Sequence, residues 1–105
     1  MTTWSILLEA PLFSDEEPGE AEMLVLDALE MLGAEAPVTG GGHGDTLAAR
    51  FCIGAPNLWA AAEEARSIFW EAVSKAGVKV NDALSLEVMP ADAVAAAYGV
   101  ADALS

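Results

Sequence analysis

Few side chains in this sequence combine the residue types and spacing that chemistry requires. His43 is the one histidine, and it lies in the run GGGHGD at 40–45, two residues before Asp45. An imidazole beside a carboxylate can be fixed in one tautomer for proton transfer, or can hold a metal. A glycine-rich loop gives it no rigid frame, so ordinary loop polarity is the expectation for His43. The glycines form neither GxxxxGK[ST] nor a GxGxxG that opens a helix, the two patterns that aim backbone N–H groups at phosphates. Their tolerance of positive φ suits a hairpin loop or a frayed edge strand. Cys52 is the only cysteine, which excludes an internal disulfide and leaves a zinc site without a second sulfur. With no histidine near it in sequence, it is expected to be an inert, buried or half-buried thiol. Asp15, Glu16 and Glu17 lack the alternating ligands and central glycine of a calcium loop. The sequence therefore nominates no catalytic residue, no cofactor and no metal, and a non-enzymatic role is expected.

Charge is the most unusual property. Seventeen acids oppose four bases for a formal charge of −13, and Arg50 is the first base in the chain. Such a surface repels phosphates and anionic membranes, so direct nucleic-acid or membrane binding is not expected. It can simply keep the protein apart from its neighbours, or it can attract a basic protein. In the second case the carboxylates between Asp15 and Glu35 would carry the effect, and imitation of nucleic acid would need them in a regular stripe. The chain is 54% hydrophobic, yet no apolar run approaches the ~18 residues that span a bilayer, and a cytoplasmic protein is expected.

The elements that must position these residues are legible from periodicity. With 105 residues there is room for one core. The longest helical pattern is 57–78, capped by Asn57 and ended by Gly77. Leu58, Ala61, Ala62, Ala65, Ile68, Phe69, Ala72, Val73 and Ala76 make its core face. Upstream, 4–12 alternates as a strand with Ile6, Leu8 and Ala10 on one side. Ser14 and Glu17 have capping-box spacing, and a helix is expected to begin just past Gly19 and to end at Gly33. Its buried face is Ala21, Leu24, Val25, Ala28, Leu29 and Leu32, with Met23 and Leu26 on the acidic side. Short strands are expected at 37–39, 46–54 and 83–89, the last with Leu84, Leu86 and Val88 inward. Pro90 closes it.

This order of strand, helix, strand, strand, helix, strand resembles the ferredoxin-like split βαβ sandwich. That resemblance covers residues 4–89. It implies an α+β domain at 1–90, a four-stranded antiparallel sheet with two helices on one face, and a short C-terminal helix or tail at 91–105. It also implies an open sheet face carrying Leu7, Glu9, Arg50, Cys52, Ser85, Glu87 and Met89. On that face Arg50, flanked by Glu9 and Glu87, either belongs to a charge cluster that solvates the sheet or anchors a carboxylate ligand. Within the tail, AAAYGVADAL at 95–104 resembles the second helix and turn of a helix-turn-helix. No Lys or Arg follows Lys79, so the phosphate contacts of a groove-reading helix are absent.

A contact surface is the stronger functional signal. Trp59, Glu63, Arg66 and Trp70 fall at spacings of 4, 3 and 4, a stripe beside the core face. Tryptophan and arginine are enriched where proteins bind one another, although large aromatics at such a shoulder also roof a core. With Met23 and Leu26 as a further apolar spot, the expectation is a protein-interaction or assembly module acting as a homo-oligomer, most simply a dimer. The alternatives are an acidic inhibitor of a basic site on another protein, and a small-molecule binding or catalytic domain that uses the open sheet face with Arg50 as anchor.

Overall fold

The computed structural model describes residues 2–41, 45–81 and 84–91. Its elements are β1 (Thr2–Pro11), α1 (Pro18–Met31), β2 (Glu35–Gly41), β3 (Thr46–Ala55), α2 (Leu58–Ala76) and β4 (Ser85–Pro90). The chain is thus α+β in βαββαβ order, with a four-stranded antiparallel sheet ordered β2-β3-β1-β4. The long central strands pair from Thr2↔Ala55 to Pro11↔Thr46, and β4 lies on the other side of β1 from Trp4↔Pro90 to Glu9↔Ser85.

Alternation along the strands sorts the sheet into two faces. Ile6, Leu8 and Ala10 of β1 and Leu47, Ala49, Phe51 and Ile53 of β3 are buried, and they form one cluster with Ala21, Val25, Ala28 and Leu29 of α1 and Ala61, Ala65, Phe69 and Ala72 of α2. The alanines let both helices approach the sheet and each other closely, while Phe51 and Phe69, both fully buried, fill the space between the layers. At the sheet's end the Trp4 indole Nε1–H donates to the Ala55 carbonyl at 3.0 Å, tying the start of β1 to the end of β3.

Both helices are bounded as local chemistry dictates. The Asn57 side chain accepts from Ala60 N–H at 2.9 Å, which satisfies an N–H that α2 cannot pair internally. Gly77, at φ 71°, ends that helix, with Val78 N–H donating to the Val73 carbonyl. α1 ends the same way at Gly33, φ 80°, where Ala34 N–H reaches the Leu29 carbonyl at 3.0 Å. Its start differs from expectation. The helix begins at Pro18, and Glu17 is itself the cap, its carboxylate accepting from Gly19 and Glu20 N–H. Pro18 at the first position needs no N–H partner, so it opens the helix where it was expected to delay it.

Other expectations are corrected by packing. Leu24 is 41% exposed: the buried stripe of α1 is narrow, and Leu24 sits about 85° from its centre. Leu58 is exposed because it lies in the first turn of α2, beyond the end of the core. β2 is longer than 37–39 and irregular: its register shifts between Glu35 and Val38, and Ala36 takes φ 50°, a left-handed conformation that costs a non-glycine residue about 1 kcal/mol. β4 starts at Ser85, and Ala83 lies outside the described residues. So do His43 and residues 92–105, and with them nearly all of the tail and its resemblance to a helix-turn-helix.

Candidate functional site

α2 packs on the central strands and meets the edge strand β4 without closing over all of it. Leu86 pairs across to the fully buried Leu8, so its side chain is on the helix side, yet it remains 37% exposed. Between it and α2 runs an open groove of about 390 Å³ lined by Trp59, Ala62, Glu63, Arg66 and Leu86. Trp59 stands at its rim, 76% exposed, and Glu63 and Arg66 are exposed on the next turn. Trp70 is placed otherwise. It is half-buried and packs on its own core, its ring meeting Phe69 edge-on at 5.4 Å and 66°. The structure therefore brings Trp59 and Arg66 together in one groove and leaves Trp70 outside it. Leu86 completes the groove. Sequence reading missed it, because alternation reports which face a residue points to and not whether a helix reaches far enough to cover it.

Neither α1 nor α2 lies on the opposite face of the sheet. Register places Val38, Arg50, Leu7 and Glu87 in one row across it, and Glu35, Cys52, Ser5 and Met89 in the next. Glu9 lies in a third row, between Ala48 and Ser85. Arg50 reaches diagonally to Ser5, its Nη1–H donating to Ser5 Oγ at 3.2 Å. Ser5 is only 3% exposed, although it lies on the face away from both helices. Leu7, Val38, Gly40, Ala48 and Arg50 outline a shallow depression of about 220 Å³. Small-molecule sites usually run from about 300 to 1,000 Å³, so this one has room for only a fragment-sized guest.

Cys52 sits among these residues as a half-buried free thiol. Its pKa is raised, first by burial and then by the Glu35 carboxylate, with Arg50 pulling partly the other way. A thiol raised on folding is a weak nucleophile at neutral pH. Folding favours its protonated form, so its contribution to stability is full below the unfolded-chain thiol value and is lost as pH climbs through the folded one. Two outcomes are expected: slower labelling by a thiol reagent at neutral pH in the folded than in the urea-unfolded chain, and a steeper fall of the urea midpoint towards alkaline pH than in Cys52→Ala. Equal slopes would contradict the assignment.

α1 presents a third surface. Met23 and Met31 are 69% and 72% exposed, with Leu24 beside them, whereas Leu26 is half-buried. Leu24 was expected on the buried face and Met31 was not singled out from the sequence, although their seven-residue separation, two turns of one helix, places them on the same side. Among the described residues no three His, Cys, Asp or Glu side chains gather closely enough to hold a metal ion, and no helix is long and apolar enough to cross a membrane. No family model matches the chain, and no curated protein matches it either.

Proposed function

We propose that this chain is a non-enzymatic protein-interaction module that works as a homodimer, with α2 and the neighbouring β4 as the contact. The observation that carries the reading is the groove. It holds a 76% exposed indole, an apolar counterpart in Leu86, and one acid and one base, Glu63 and Arg66, about one turn apart. A two-fold axis brings one patch against its own copy, so every residue meets its counterpart's surroundings. This patch is self-complementary: Glu63 of each subunit can face Arg66 of the other, and Trp59 can cover Leu86. Tryptophan and arginine are the residues whose burial most often dominates such contacts. Trp70 then supports the surface from behind by holding Phe69, and does not itself bind.

The reading takes the βαββαβ sheet as a ferredoxin-like split sandwich and includes a cytoplasmic setting, in which Cys52 stays a thiol. The small volume of the depression beside Arg50 ranks ligand binding or catalysis behind it. The acidic alternative is supported by charge alone at the level of the whole molecule, where −13 attracts any basic partner.

Light scattering across a concentration series tests the dimer. The wild type is expected at twice the chain mass, and Trp59→Ala at a mass moving towards one chain with an unchanged far-UV spectrum. A wild type that stays at one chain mass at several hundred micromolar removes the proposal.

A further inference from the structure

We infer that the solvent face of α1 is a docking surface for a basic amphipathic helix of another protein. Glu20, Met23, Leu24, Asp27, Glu30 and Met31 fall within an arc of about 120° at 100° per residue. All six are exposed. The opposite stripe, Ala21, Val25, Ala28 and Leu29, is already in the core. α1 is therefore apolar on two sides, and its own fold needs only one of them. Three large apolar side chains left in water at 69%, 41% and 72% exposure are a contiguous cost that a partner would remove.

The charges say which partner. Glu20, Asp27 and Glu30 are interleaved with the apolar residues, α1 contains no Lys or Arg, and no base precedes Arg50. The last turn of α1 also has no basic residue, so its carbonyl end keeps its partial negative charge. A second copy of this chain would set three carboxylates against three more, a repulsion that favours other partners. Anionic lipid is repelled in the same way. A neutral apolar partner would strip water from the carboxylates and give nothing in return. A helix with a leucine ridge flanked by Lys and Arg meets both demands. Its ridge fits between unbranched methionine side chains, which adapt to irregular shapes, and its cations meet the flanking acids. Imitation of nucleic acid fits less well, because large apolar side chains interrupt the run of charge. This surface is on the other helix from Trp59, and the inference stands whether or not the chain dimerises.

Isotope-labelled full-length chain, titrated with a Leu/Lys amphipathic helical peptide of about 18 residues, tests it. A scrambled peptide of the same composition and a Leu/Glu version serve as controls. Amide shifts are expected along α1, with the scrambled peptide binding at least tenfold more weakly. Met23→Ser with Met31→Ser should weaken binding at least tenfold, about 1.4 kcal/mol, without moving the thermal midpoint downward. Raising salt from about 50 to about 300 mM should weaken it several-fold. Equal binding of the scrambled peptide would mean attraction by net charge only and would overturn the inference. So would shifts centred on the Trp59 groove or the open sheet face, an unaffected double variant, or no binding at millimolar peptide.

Discussion

Phe69→Ala is expected to lower the free energy of unfolding by about 3–5 kcal/mol, the usual cost of removing a fully buried phenylalanine ring and leaving a cavity. Phe69 is 0% exposed, on the face of α2 that meets the sheet. The buried residues that share α2 with it include Ala61, Ala65 and Ala72, which have no side-chain length with which to fill the hole. Domains of this size have about 5–15 kcal/mol in total, so the variant should be close to half unfolded at moderate urea. The loss also has a local signature. The Trp70 ring rests edge-on against Phe69 at 5.4 Å, and without that wall its fluorescence should shift to the red in the still-folded protein. Urea titration followed by fluorescence reads both effects. A loss below about 1 kcal/mol would mean that the two layers collapse onto the hole and that the core is not held at its present spacing.

Arg66→Glu is expected to weaken the proposed dimer by tenfold or more. The substitution places an acid opposite Glu63 of the other subunit, and the two-fold axis repeats the clash. The exchange Glu63→Arg with Arg66→Glu should restore the wild-type dissociation constant, because each pair is rebuilt with its sign reversed. Within one helix the swap alters side-chain pairing by only a few tenths of a kcal/mol, so the monomer is a fair reference. Sedimentation equilibrium at low salt measures all three proteins. If the double variant stays as weak as Arg66→Glu, the two residues do not face one another across a subunit boundary. A dimer observed in all three would then use another surface.

The parts of this structure that were legible in the sequence are those set by local rules. Alternation in β1 and β3 put Ile6, Leu8, Phe51 and Ile53 on the core side because a strand has no other option. Asn57 and Gly77 bounded α2 through their own hydrogen bonding and backbone freedom. The failures arise where one element's environment depends on how far another extends. Leu58 and Leu86 have the right phase for burial yet stay partly exposed, one in the first turn of α2 and the other on an edge strand, whereas Leu24 lies off the narrow buried stripe of α1. Ser5 errs in the other direction, a buried polar residue on the face away from both helices, bonded to the Arg50 side chain. The groove itself was half legible: Trp59 and Arg66 share a helical stripe, whereas Leu86 joins them only after the sheet order puts β4 beside α2.

The irregular outer strand has a consequence for how copies of this protein can meet. Strand β2 is bent by its register shift, carries Ala36 at positive φ, and contains Pro37, which has no N–H to offer. On the far side β4 is short and ends at Pro90. Neither margin presents a long, straight row of free backbone donors and acceptors, so a further strand has little to add to and stacking of the kind that grows fibres is resisted at both sides. The exposed indole of Trp59 and the exposed methionines of α1 therefore offer contact through side chains, away from the backbone margins of the sheet.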